Sequence, residues 1–423
     1  MAKRITAIVG AGAVLDFDFS YEGAVCPSTK NITESICNLS IQGLDVEESD
    51  VISKVYGLAK NTLSDLYRTR GIKQDYDLNF EELYFLLESM LSLGEGTEYY
   101  GPHGFPLLVA LLDVKKEIKE HPHIEYVRAL HAIVQKISNI IDGYDSRFSS
   151  STSEEWYKKF WQGRENLKYD VFTFNYDTTI EQSVEDYEDG YRPIVGNRLG
   201  IHYFNPHALL RNKSKRTTIQ HLHGSIYYAE YAPIECVKTH SNRDMFKMRT
   251  VADAIGQLGL QTKGQSQARE LFLNSPILIG MRKLDKMTFL PSSVYHADLV
   301  NRLQKNRGVL IVGYSFGDLY VNQILQRRLL MQGTKHRMVI IDYFPRYVDS
   351  AVGVYRYLSD ERPQLKAFMT PFFDLRFDDF KLKGMHFMSY DEPIYNEDRN
   401  CVLFICGFKR TIELHGDFIQ RFL

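Results

Sequence analysis

Apolar residues along the chain gather into short β-rich runs at Ile5 to Val9, Tyr169 to Phe174, Thr218 to Leu222, Pro276 to Ile279, Gly308 to Val312 and Met338 to Ile341. Polar or glycine-rich turns follow most of them. Runs that are apolar on both faces suit parallel strands covered by helices, and the first, second and fifth lead into helical patterns. The expected fold class is α/β, a Rossmann-like doubly wound parallel sheet.

A different rhythm fills the stretch between the first two runs. Asn79-Phe80-Glu81-Glu82 has the form of a capping arrangement, with Leu83, Leu86, Leu87, Met90 and Leu91 at helical spacing behind it. Val127, Leu130, Val134, Ile137 and Ile141 advance by threes and fours and form one stripe. Thr152 and Glu155 ahead of Trp156, Phe160 and Trp161 signal a third helix start. The pattern therefore divides the chain into an α/β core at 1–45 plus 166–345, a helical insertion at 46–165 and a C-terminal extension at 346–423. In the extension, Cys401 to Cys406 followed by Thr411 to Leu414 reads as a β-hairpin turning near Gly407.

Composition narrows the class. The 423 residues are 44% hydrophobic and 25% charged, which excludes a disordered, collagenous or disulfide-scaffold chain. With 51 basic and 53 acidic residues there is no overall field to attract nucleic acid or anionic lipid, so neither is expected as a direct partner. The longest apolar run, Phe105 to Leu112, falls far short of the roughly 20 residues that span a bilayer. Lys3, Arg4 and the apolar stretch to Leu15 imitate a leader, but the glycines make Ile5 to Val9 a buried strand instead. Cys26, Cys37, Cys236, Cys401 and Cys406 form no C-x-x-C pair, which suits reduced thiols in a cytoplasm and rules out a paired four-thiolate zinc site. The thirteen histidines show no ligand spacing, so no catalytic metal is expected. The basic loop of Arg211, Lys213, Lys215 and Arg216 reads as solvated surface, and the acceptor form of Asn31-Ile32-Thr33 has no consequence in a cytoplasmic chain.

Candidate chemistry lies at the strand ends. Gly10-Ala11-Gly12 puts small residues where a helix N-terminus can approach a diphosphate, although a plain tight turn would look the same and the full G-x-G-x-x-G is broken at Leu15. Asn175, after Val171 to Phe174, can point its amide into the crevice; alternatively Asn175 or Asp177 caps the helix opening at Thr178. His221-Leu222-His223-Gly224 ends another strand. Alternation puts both imidazoles on one face, with His221 the candidate for a hydrogen-bonded core group and His223 for acid–base work near neutrality. Gly313-Tyr314-Ser315-Phe316-Gly317 is formally a nucleophile elbow. A serine hydrolase built on it would draw on Asp342 and on His386 or His415, but would leave Gly10, Asn175 and His223 without a task.

Together and in this order the motifs resemble the sirtuin superfamily. Gly10-Ala11-Gly12 resembles its NAD-binding turn, Thr173-Phe174-Asn175 its T-x-N element, His223-Gly224 its catalytic His-Gly, and Gly313-Tyr314-Ser315 its late turn under the ribose. The zinc module and the Gly-Ile-Pro-Asp-Phe-Arg element of the protein-deacylase branch are missing; Cys26-Pro27-Ser28-Thr29 and Ile32-Thr33 stand there instead. Asn175-Tyr176-Asp177 and the Gly-Tyr-Ser-Phe-Gly-Asp turn look like the bacterial sirtuin-like NAD hydrolases of anti-phage defence. That resemblance implies NAD as substrate, Asn175 and His223 as catalytic residues, and Gly10, Ala11, Gly12, Asp16, Thr173, Asp177, Gly313, Ser315 and Asp342 along the dinucleotide. It further implies restraint by homo-oligomerisation or by a partner ATPase, translocase or phage sensor. A non-catalytic nucleotide-binding regulator is the alternative of another class, and protein deacylation a weaker one.

Overall fold

The computed structural model describes residues 3–17, 26–37, 46–69, 78–94, 123–163, 167–197, 200–210, 216–230, 244–264, 275–280, 283, 287–332, 337–373, 377–378, 381–382, 387–396 and 400–423. The run Phe105 to Leu112, Cys236, Arg211, Lys213, Lys215 and His386 lie outside them.

The strands in chain order are β1 (Lys3–Val9), β2 (Leu167–Thr173), β3 (Tyr187–Glu188), β4 (Tyr191–Pro193), β5 (His202–Phe204), β6 (Thr217–His221), β7 (Tyr228–Glu230), β8 (Met245–Lys247), β9 (Gly308–Val312), β10 (Arg337–Ile341), β11 (Phe377–Asp378), β12 (Lys381–Leu382), β13 (Ile394–Asn396) and β14 (Cys401–Phe404). A central sheet has the order β13-β14-β10-β9-β1-β2-β6-β3, parallel throughout except for the edge strand β13. The chain lays β2 and β6 on one side of β1, then crosses back to lay β9, β10 and β14 on the other. This reversal makes the β1/β9 boundary the topological switch point.

Both faces of the sheet are covered, which is why its strands read as unbroken apolar runs. Ile5, Ala7, Val9, Leu310 and Val312 pack into one core, while Ile8, Val309 and Ile311 pack into another, as the two-residue period requires. The first core is closed by α2 (Val46–Thr69), α3 (Phe80–Gly94), α4 (His123–Asp145), α5 (Glu154–Gln162) and the terminal helix α13 (Phe408–Phe422). The second is closed by α9 (Ser292–Lys305), α10 (Leu319–Gln332), α11 (Ala351–Asp360) and α12 (Pro363–Phe373). No described helix is long and apolar enough to cross a membrane. Low in the sheet, the fully buried Asp170 is surrounded by Arg4, Arg302, Asn306 and Thr218, so its charge is balanced and hydrogen-bonded rather than stranded.

Several local expectations are met by named contacts. Asn79 Oδ1 accepts from the N–H groups of Glu81 and Glu82, and Glu82 accepts from the N–H of Asn79 at 3.0 Å, a complete reciprocal cap on α3. Leu130, Val134, Ile137 and Ile141 are buried along α4. Others are corrected. Ser153, not Thr152, precedes α5 as its cap residue, and its side chain does not cap the helix. Pro276 to Ile279 is not a strand and contributes only the isolated bridge of Ile277 to Gly224. Thr411 to Leu414 lies within α13, and the hairpin partner of β14 is β13, upstream. A four-stranded antiparallel sheet, β4-β5-β8-β7, was not legible because its strands are only three residues long.

Candidate active site

Register brings the carboxyl ends of the central strands level: Val9 faces Thr173 and Val312, Thr173 faces His221, and Ile341 faces Val312 and Phe404. Above them lies a cleft of about 540 Å³, within the usual range for a small-molecule site. Gly10, Ala11 and Gly12 line it together with Gly313, Ser315, Asn175, His223 and Asp342.

The glycines answer first to backbone crossing. The Gly12 N–H donates to the Gly313 carbonyl at 2.9 Å, and a Cβ on Gly10, Gly12 or Gly313 would come within 2.6, 2.7 or 2.2 Å of the opposing main chain. Gly313 also has φ +57°. The expected helix after the first strand is a single 3₁₀ turn, Ala11–Ala13, too short to supply a helix dipole. A helix start does reach the cleft further on. Pro27, Ser28 and Thr29 line it at the beginning of α1 (Thr29–Cys37), where Ser28 and Asn31 cap each other reciprocally.

The turn after β2 carries Asn175. Its N–H donates to Thr173 Oγ1 at 3.0 Å, and its carbonyl oxygen lies 3.0 Å from His221 Nδ1. The side chain is different: only 7% of the residue is exposed, and neither Oδ1 nor Nδ2 has a hydrogen-bond partner among the described residues. Leaving both halves of a buried amide unmade costs on the order of 1–3 kcal/mol per group, so the site is shaped for something that supplies them. Asp177 is the capping residue of the pair. Its Oδ1 accepts from the N–H and hydroxyl of Thr179, opening α6 (Thr179–Ser183), and its Oδ2 accepts from Tyr144 Oη at 2.7 Å. Asp145 accepts from the N–H and hydroxyl of Thr178, both at 2.8 Å. The end of α4 thus grips the turn from the insertion side. Burial and the charge of Asp177 push the Asp145 carboxyl up to about 7.

The two histidines diverge, because β6 ends at His221 and the alternation does not extend to His223. His221 is 2% exposed and sits beneath the Asn175 turn against Glu181. His223 borders the cleft, with Nε2 3.1 Å from Asp318 Oδ2 and its ring edge-on to Phe174 at 4.7 Å, while Phe174 stacks on Tyr314. Burial and the nearby Lys283 ammonium lower the His223 pKa to about 4, outweighing the pull of Asp318. The near-neutral titration expected from the sequence is therefore replaced by a neutral imidazole. Asp318 feels burial too, but the bond from His223 and the surrounding positive charge hold it down at about 2. With Asp318 ionised, Nε2 carries the proton and Nδ1 the lone pair. Lys283 in turn pairs with Glu81, the two Oε atoms lying at 3.1 and 3.0 Å.

At the other end of the cleft Asp342 pairs with Arg362, and burial nevertheless raises its carboxyl to about 6. Asp16 is a correction: it turns to the tail, where Oδ2 accepts from the N–H of Lys409 and caps α13. Thr173 does not line the cleft and acts through the Asn175 N–H. Among the described residues no serine triad is assembled. Ser315 Oγ accepts only from the Gly317 N–H, Asp342 is held by Arg362, and His415 bonds the Asp391 carbonyl. Positive φ in this turn falls on Gly313 and Phe316, not on Ser315 as a strained nucleophile would require.

Tertiary structure adds Asp318, Lys283, Glu81, Tyr144 and Arg362 to the site. Asp318 closes the Gly-Tyr-Ser-Phe-Gly-Asp string and was visible there without an assigned role. Glu81 and Lys283 stand 202 positions apart and left no local signal. A search of curated proteins finds no match to the chain. Residues 170–354, running from β2 through the Asn175 turn, His223 and the Gly313 turn into α11, match the family model of the SIR2-like domain, which supports a sirtuin-like family for this part of the chain.

Proposed function

We propose that the protein is an NAD glycohydrolase, cleaving the bond between nicotinamide and ribose to give nicotinamide, ADP-ribose and a proton at the cost of one water. The reading rests on one observation above all: the unpartnered amide of Asn175, buried in the same cleft as the neutral imidazole of His223. As nicotinamide leaves, positive charge develops on the sugar, and catalysis consists chiefly of holding the ribose and a water in line. Asn175 suits that task, since one carboxamide offers a donor to a ribose oxygen and an acceptor to a water. His223, with its proton fixed toward Asp318, presents Nδ1 to a ribose hydroxyl or to the attacking water. The crossing of Gly10, Gly12 and Gly313 keeps side chains out of the switch-point crevice, leaving room for the diphosphate beside the first turn of α1.

The decisive measurement is nicotinamide release from NAD by the purified full chain, compared with Asn175→Ala and His223→Ala. Each substitution is expected to lower turnover by about 10² to 10⁴-fold while the melting temperature changes little. Near wild-type turnover in either folded variant overturns the reading. We further take the activity as the effector of an anti-phage defence system, restrained by self-association or by a partner. Cells carrying the wild-type chain should then lose NAD on infection and cells carrying Asn175→Ala should not. An unchanged NAD pool in both rejects the defence role without touching the chemistry.

A further inference from the structure

Both ring nitrogens of His221 face acceptors. Nδ1 lies 3.0 Å from the main-chain oxygen of Asn175, which has no proton to give, so Nδ1 must donate. Nε2 lies 2.6 Å from Glu181 Oε1, a charge-assisted distance. Glu181 is itself buried beneath the turn. Asn175 is therefore pinned at both ends of its main chain, by Thr173 at the N–H and by His221 at the carbonyl, while its side chain makes no hydrogen bond among the described residues. An amide with no hydrogen bond of its own takes its aim from the backbone that carries it.

We propose that His221, donating from both ring nitrogens and braced by Glu181, is a positioning residue that clamps the Asn175 carbonyl and so aims its amide at the substrate ribose. The proposal deepens the NAD-cleaving reading and rests on it. His221 makes no contact with the cleft; it acts through Asn175. Displacing a reacting-group orienter by about 1 Å costs on the order of 10²-fold in rate without a matching loss of binding.

Asparagine places its donor near the Nδ1 position and glutamine nearer the Nε2 position, so His221→Asn and His221→Gln separate the clamp from the brace. In the full chain, His221→Gln is expected to lose about 10²-fold in kcat with KM within about threefold of wild type. His221→Asn should recover about tenfold of that loss. Equal kcat in the two variants, or a change confined to melting temperature or KM, overturns the clamp. Should His221→Gln fail to fold, Glu181→Gln keeps the shape and removes the brace; kcat equal to wild type in that variant also overturns it. Nitrogen NMR of histidine-labelled protein gives a readout that needs no activity, with protons expected on both His221 ring nitrogens. An unprotonated Nδ1 sinks the clamp whatever the chemistry, because the Asn175 carbonyl would then face no donor. A wild-type chain that leaves NAD intact while both protons are seen sinks the NAD reading, and the positioning role with it, but not the geometry.

Discussion

Asp318 holds Nε2 of His223 at 3.1 Å, and that one contact decides which nitrogen of the imidazole carries the proton. A carboxylate can only accept, so the lone pair is left on Nδ1. Asp318→Asn offers an amide in place of the carboxylate and permits the opposite tautomer. Its kcat is expected to fall by roughly 10²-fold or more, and combining it with His223→Ala should add little further loss because the two act as a unit. Additive losses in the double variant would show that Asp318 has a separate task.

Ser315 separates the competing chemistries. If NAD occupies the cleft as proposed, Ser315→Ala is expected to keep kcat within about tenfold while raising KM for NAD, since a hydroxyl lining the cleft would contribute binding and not bond breaking. A fluorophosphonate probe should leave Ser315 unlabelled. Stoichiometric labelling together with lost activity would restore the hydrolase reading.

His131 carries a pH-dependent cost that the site does not need. It is buried on α4, neither ring nitrogen has a partner among the described residues, and burial lowers its pKa to about 4. The unfolded chain takes up a proton near the ordinary value of about 6.5 whereas the folded one does not. The folded state therefore loses stability as pH falls from that value toward 4, by roughly 2 kcal/mol at about pH 5. Urea midpoints of wild type and His131→Leu should accordingly lie further apart at pH 5 than at pH 8, with the variant favoured at the acidic end. A pH-independent gap would rule out titration of His131 as the cause.

Glycine substitutions should split by location. Gly313→Ala combines φ +57° with a Cβ placed 2.2 Å from the Ala13 nitrogen, so destabilisation of about 3 kcal/mol or more is expected. Gly143, inside α4, has nothing within 4 Å of its added Cβ, and Gly143→Ala should stabilise by about 0.5–1 kcal/mol. Chemical denaturation measures both. A tolerated Gly313→Ala would mean that the two loops do not cross as closely as 2.9 Å.

The α/β class and the strands β1, β2, β6, β9 and β10 were legible in the chain, because a strand buried on both faces must be apolar throughout. So was the cap of α3, a contact between residues three apart. Asn175, His223 and Gly313 announced themselves by falling at strand ends, where neighbouring residues in the sequence already fix their position relative to the sheet. The tail was misread for a complementary reason: whether Cys401 to Phe404 turns back or runs parallel beside β10 depends on a partner more than 60 residues away, and Thr411-Ile412-Glu413-Leu414 alternates polar and apolar like a strand, over a run too short to reveal the helix that contains it.

The amino-acid order alone thus determined the five strands β1, β2, β6, β9 and β10 and which of their tips bear polar groups, since both follow from short-range periodicity. Tertiary structure decided what each of those groups does. Burial and partners drawn from distant positions turned His223 into a neutral acceptor, gave His221 two acceptors to bridge, moved Asp16 to a helix cap and left the Asn175 amide without a mate. Proton affinity and hydrogen-bond satisfaction are properties of a three-dimensional neighbourhood, and no local pattern of residues encodes them.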